Sequence, residues 1–257
     1  MPHKVIKQVW DYCAYSKMFL LFIFLLLFVS SCIQNYVGEY GDYSQGVLLS
    51  ILVFIVVSGY GMAITKSRIN HGVRLPKIVI TDIIVMGIKS GIIMLIYLSI
   101  QSLFLTVVSR ALGFPAFNLV KYLLDWPGTL NMLFYHEPVS TILFIVLELV
   151  LFYITAFFME IALAKLADTG NMISALDILS IKRNIDVIGW KNYTKRYTSI
   201  ILAIVILSYL ISFDFHLTLI DSIIDMFLSF LIFVTQYLGI GAVYCDIKDL
   251  KANKKRL

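Results

Sequence analysis

Long apolar runs separated by short polar stretches dominate this chain. The runs lie near residues 18–34, 46–65, 90–109, 139–163, 197–213 and 226–244. Most reach the roughly 20 residues that a helix needs to cross a hydrocarbon core of about 30 Å. The pattern predicts an all-α, polytopic integral membrane bundle with six transmembrane helices. The polar stretches are not equivalent. Of the 21 Lys and Arg, 19 fall before the first run, in Lys66 to Lys89, in Lys165 to Arg196 and in Lys248 to Arg256, leaving only Arg110 and Lys121 between. Basic residues near span ends stay on the cytoplasmic side, so both termini are expected in the cytoplasm.

The connections add short interfacial helices to this outline. The basic turn with His71, Gly72 and Pro76 leads into the apolar segment Ile78 to Gly87. That segment is expected to ride along the inner interface before the third span, with Lys89 snorkelling back to water. Between the fourth and fifth spans, Asp168-Thr169-Gly170 is a stop signal, and Ser174 with Asp177 reads as a capping box. Ile178, Ile181, Ile185 and Ile188 then recur at helical spacing with Lys182 and Arg183 off the stripe. Such a basic amphipathic helix lies on the inner leaflet or docks beneath the bundle. Gly189-Trp190 ends it ahead of Lys191, Lys195 and Arg196. The outer connection from Arg110 to Pro138 carries Tyr122, Trp126 and Tyr135, as an interfacial aromatic anchor does.

Composition closes off other classes. At 60% hydrophobic and 14% charged residues, with a mean hydropathy of +0.89, the chain departs from soluble domains in both directions. Residues 1–257 are read as a single membrane domain. The net charge of +5 is attributed to orientation and to anionic-lipid contact through Lys182, Arg183, Lys195 and Arg196, not to nucleic-acid binding. Cys13, Cys32 and Cys245 are an odd set, two of them near the cytoplasmic face, so no disulfide framework is implied. Val29-Ser30-Ser31-Cys32 also resembles the end of a lipoprotein signal, but the lead ahead of its apolar run is too long for an ordinary one.

Polar groups inside a membrane are costly and mark the places where chemistry is concentrated. Glu148, Gln101 and Gln236 are the candidates for an intramembrane polar site, with Glu148 the deepest ionisable group. Glu160 lies about 120° around the helix from Glu148 and near enough to the inner interface for a partner such as Lys66 or Lys165. Gly87-x-x-x-Gly91 bares one helix face for close approach, and Gly239 and Gly241 are read as packing positions too. The histidines His3, His71, His136 and His216 fall in four separate segments without ligand spacing, so no metal site is predicted. Neither a catalytic set nor a cofactor loop is found. Asn192-Tyr193-Thr194 forms a glycosylation sequon, discounted because the charge pattern puts it inside. Ala63-Ile64-Thr65-Lys66 and Ala162-Leu163-Ala164-Lys165, each followed by a glycine, form a weak parallel echo.

Several motifs together resemble a known family. These are Gly59-Tyr60-x-x-x-Ile64-x-x-Ser67-x-x-x-x-Gly72-x-x-Leu75-Pro76 with Gly87-x-Lys89, then Ala162-x-Ala164-x-x-Ala167-x-x-Gly170, Ala175 and Asp177, Gly189-Trp190-x-x-Tyr193, and Gly239-x-Gly241-x-x-Tyr244. The chain resembles, over residues 10–247, a multi-pass membrane family found mainly in archaea such as methanogens and known only as a domain of unknown function. It departs from that pattern at Lys77, where members often carry acidic residues and a Trp. The resemblance implies architecture and no catalytic residues. The expectation is a non-enzymatic structural or interaction component of the plasma membrane without a cofactor, packing with itself or a membrane-protein partner. The alternative is a small-solute or ion transporter using Glu148.

Overall fold

Seven helices, and no strands, carry the described residues of the computed structural model: 43–111, 138–211 and 218–254, with the single positions Lys7, Val9 and Asp11. They are α1 (Tyr43–Ile69), α2 (Ile80–Ala111), α3 (Pro138–Thr169), α4 (Met172–Leu176), α5 (Ile178–Ile188), α6 (Trp190–Ile211) and α7 (Thr218–Lys254). Five of them, α1, α2, α3, α6 and α7, are long and apolar enough to cross a membrane. Each of these five coincides with one of the expected spans from the second to the sixth, α6 as far as Ile211. The first expected span, Cys13, Cys32, and the aromatic group at Tyr122, Trp126 and Tyr135 lie outside the described residues.

The helices overrun the apolar runs that predicted them. The second connection has no separate interfacial segment, because α2 runs unbroken for 32 residues from Ile80, about 48 Å at the helical rise. No proline lies between Ile80 and Gly91 to break the helix, and of the two glycines there Gly87 sits where a Cβ would strike the Ile55 carbonyl oxygen. Likewise α7 extends through 37 residues, roughly 55 Å. Its polar last turns therefore continue well beyond the apolar run that ends at residue 244.

The chain divides into two compact units, Met1–Gly91 with Ile161–Leu257, and Ile92–Glu160. In the first, α7 packs against α1 and α6, and α5 packs against α6 and α7. The stripe Tyr193, Tyr197, Ile200, Ala203 and Leu207 buries one face of α6, with Tyr193 and Tyr197 rings stacked at 6.1 Å. Opposite it, Gly239 sits where an added Cβ would meet the Ile200 side chain at 2.8 Å. Gly241, two residues on and so about 200° around the helix, faces α1 instead, where a Cβ would lie 2.9 Å from the Thr65 carbonyl oxygen. The same pair of helices is tied by the buried Thr65 hydroxyl, which donates to the Tyr237 carbonyl at 3.0 Å. Between α1 and the start of α2, Gly59 and Gly87 let the backbones meet: a Cβ on Gly59 would strike the Ile83 carbonyl oxygen, and one on Gly87 the Ile55 carbonyl oxygen.

The second unit is α2 from Ile92 onward with α3 as far as Glu160. Leu105 and Phe144 are buried there, with Leu147 and Leu151 packed against them. Around this small cluster, large aliphatics such as Leu95, Leu103, Val139 and Leu149 are exposed by 63% to 70%. An outward apolar surface of that extent is what hydrocarbon, rather than water, covers.

Candidate functional site: a laced polar end

Within the first unit, polar contacts that involve residues of all seven helices gather in one region, joined chiefly by basic side chains. Lys89 of α2 donates to the Gly170 carbonyl at 2.8 Å, satisfying an oxygen just past the end of α3 that no intrahelical amide reaches. Lys165, 9% exposed, donates to the Ser174 carbonyl and, at 2.7 Å, to the Ser180 hydroxyl, so one buried ammonium holds both α4 and α5. Lys248 of α7 pairs with Asp168 of α3 at 2.7 Å. Arg196 pairs with Asp246, and Lys251 donates to the Asn184 side-chain oxygen of α5. Tyr60 donates to the Pro76 carbonyl at 3.0 Å and fixes the turn between α1 and α2. Lys165 therefore serves α4 and α5, and Lys66, the other cation considered for Glu160, is exposed; Glu160 itself is buried.

The α4–α5 segment shows how local sequence sets this region. α3 stops at Thr169 because Gly170 takes φ 69 and its amide turns back to the Leu166 carbonyl. Asn171 caps α4, accepting from the Ile173 amide at 3.0 Å. The cap of α5 is Asp177, which accepts from the Ser180 amide at 3.1 Å, not Ser174 as the capping-box spacing suggests. Ser174 instead closes the preceding turn onto the Asn171 carbonyl at 2.9 Å. Ile181, Ile185 and Ile188 are buried with Asn184, so α5 docks against α6 and α7. Ile178, the remaining member of the expected stripe, is 64% exposed.

That exposure belongs to a second, outward face. Leu179 is 70% exposed and Ile173 on α4 is 81% exposed. Lys182 and Arg183, one turn beyond Ile178 and Leu179, are exposed as well. Lys195 is exposed one helix later, whereas Arg196 is engaged with Asp246. Trp190 is anchored at the start of α6 by its indole N–H, 2.7 Å from Asp186.

Sequence spacing gave no hint of a second cluster in this region. α1 ends in a Schellman turn, with the Gly72 amide on the Ser67 carbonyl at 2.8 Å and the His71 amide on the Arg68 carbonyl at 3.0 Å. His71 holds the left-handed position, φ 58, that such turns usually give to glycine. Its ring meets Cys245 and Asp249, one turn apart on α7: Cys245 Sγ is 3.5 Å from Nδ1 and 3.8 Å from Nε2, and Asp249 Oδ1 is 3.4 Å from Nε2. Cys245 Sγ lies 3.9 Å from Asp249 Oδ2. Cys245 is a buried free thiol, while the His71 and Asp249 side chains are 69% and 51% exposed. An ion pair so exposed contributes at most about 1 kcal/mol, no more than the roughly 1–2 kcal/mol that a left-handed non-glycine residue costs. His71 and Cys245 are 174 residues apart, beyond the reach of any ligand-spacing motif.

The intramembrane polar candidates are spread over both units. Gln236 is half-buried on α7 in the first. Gln101 on α2 and Glu148 on α3 belong to the second, Glu148 half-buried. Gln101 Oε1 and, one turn before it, Tyr97 Oη are buried without a hydrogen-bond partner among the described residues.

A family model described as "Protein of unknown function (DUF4013)" matches residues 45–233, well over half of the chain. No curated protein and no solved structure matches it.

Proposed function

Since this chain belongs to the DUF4013 family of proteins of unknown function, we propose from its own geometry that it is a non-enzymatic structural or interaction component of a prokaryotic, archaeal plasma membrane. In this reading it crosses the bilayer six times with both termini in the cytoplasm, and it contacts anionic lipid through the basic end of its first unit. One observation carries the reading: Ile173, Ile178 and Leu179 are outward on α4 and α5 beside exposed Lys182 and Arg183. The packing face of α5 is already filled by Ile181, Ile185 and Ile188, so the outward aliphatics serve no internal core. Aliphatics at the boundary of headgroup and acyl chain, flanked by cations, are how an interfacial helix meets an anionic leaflet. Each cation held at such a surface contributes about 1 kcal/mol.

Native mass spectrometry of the purified protein, with phosphatidylglycerol competing against phosphatidylcholine, tests this. Selective retention of the anionic lipid is expected, weakened in Lys182→Glu/Arg183→Glu. Equal retention of the two lipids by the unaltered protein refutes the reading. A second reading, transport of a small solute or ion, draws on half-buried Glu148 and on the unpartnered oxygens of Gln101 and Tyr97. It requires that Glu148→Gln change pH-dependent flux in proteoliposomes; unchanged flux removes Glu148 from it.

A further inference from the structure

We propose that His71, Cys245 and Asp249 form a binding site for a borderline-soft divalent cation of the Zn2+ class, which clasps the end of α1 to the last turns of α7. The three donors are of the types that Zn2+ takes: an imidazole, a thiolate and a carboxylate. Bonds of roughly 2.3 Å to sulfur and about 2.0 Å to nitrogen and oxygen, at tetrahedral angles, separate the donors by roughly 3.3 to 3.6 Å. The observed separations are 3.4 Å between His71 Nε2 and Asp249 Oδ1, 3.8 Å between the same nitrogen and Cys245 Sγ, and 3.9 Å between that sulfur and Asp249 Oδ2. All three ligand atoms lie within 4.8 Å of one another. Small side-chain rotations bring that set onto one ion.

The charges agree with the geometry. A thiolate and a carboxylate balance a divalent ion, and the imidazole adds a neutral ligand. Lys248, between the two α7 ligands in sequence, does not compete for Asp249, because its ammonium is held by Asp168 at 2.7 Å. Histidine in place of glycine at the left-handed turn also gains a reason, since its ring supplies the imidazole that meets Cys245 and Asp249. With three protein ligands, two of them exposed, the fourth coordination position opens to solvent, as in zinc sites that bind water or a small anion. This inference is independent of the lipid reading.

Cobalt is the probe, because it adopts the same coordination and reports a thiolate ligand by its charge-transfer absorption. The full-length protein in detergent, stripped with chelator, is titrated with Co2+ and then with Zn2+. One equivalent of Co2+ bound with a thiolate charge-transfer band, and displaced by Zn2+, is expected. Cys245→Ser should abolish the band, and His71→Gly should weaken Zn2+ binding by roughly 100-fold or more. His71→Gly separates ligand loss from unfolding, since glycine suits φ 58 and its helical circular dichroism should be unchanged. No thiolate band in the unaltered protein, a band that survives Cys245→Ser, or Zn2+ affinity unaffected by His71→Gly overturns the assignment.

Discussion

Placing a methyl group at Gly59 pushes it into the Ile83 carbonyl oxygen, and at Gly87 into the Ile55 carbonyl oxygen. Neither obstacle is a flexible side chain, so relief requires α1 and α2 to separate locally. Overpacking of this kind costs about 1–3 kcal/mol. Replacing glycine by alanine inside a helix returns up to about 1 kcal/mol through backbone entropy. The net expectation for Gly59→Ala or Gly87→Ala is therefore a loss of about 1–2 kcal/mol. One separation of the helices relieves both clashes, so the double variant should lose less than the sum of the single ones. Gly91→Ala is the internal control. Its Cβ would sit 3.4 Å from the Phe54 ring, an ordinary contact, so the entropy gain stands nearly alone and the variant should be neutral or stabilised by about 0.5–1 kcal/mol. Reversible unfolding in mixed micelles, read by circular dichroism, measures all four. If Gly59→Ala and Gly87→Ala unfold no more readily than Gly91→Ala, the backbones do not meet there and the reasoning fails.

Further outcomes follow from the polar end. Asp177→Ala should cost about 1 kcal/mol through loss of the α5 cap and speed amide hydrogen exchange at residues 178–181; Ser174→Ala should leave that exchange unchanged. Lys165→Met removes charged hydrogen bonds to Ser174 and Ser180, and about 1.5–3 kcal/mol of stability in the same unfolding assay. Thr65→Val keeps the shape but removes the hydroxyl that donates to the Tyr237 carbonyl, a loss of about 1 kcal/mol. A double-mutant cycle on Lys248 and Asp168, an exposed cation on a half-buried carboxylate, should return a coupling of no more than about 1 kcal/mol, diminishing in high salt.

Hydropathy alone located α1, α2, α3, α6 and α7, because a span must be apolar along its whole length and that demand is local. It also placed α5, whose three buried isoleucines keep helical spacing, and the stop at Gly170. The ends were less legible. A helix continues for as long as no residue breaks it, so α2 starts earlier and α7 finishes later than their apolar runs. Ser174 and Asp177 are both good caps, and the choice between them was made by where the Asn171 carbonyl and Lys165 lie after folding. Gly87 and Gly91 look alike in sequence, yet only the first meets a backbone, since closeness depends on which helix crosses at that height. What the amino-acid order settled was therefore the membrane-length helices and the segregation of cations among their connections, both properties of neighbouring residues interacting with lipid and water. The meeting of His71 with Cys245 and Asp249, the burial of Lys165, and the outward turn of Ile178 and Leu179 required the packed bundle. Each depends on residues far apart in sequence, whose distances no local pattern encodes.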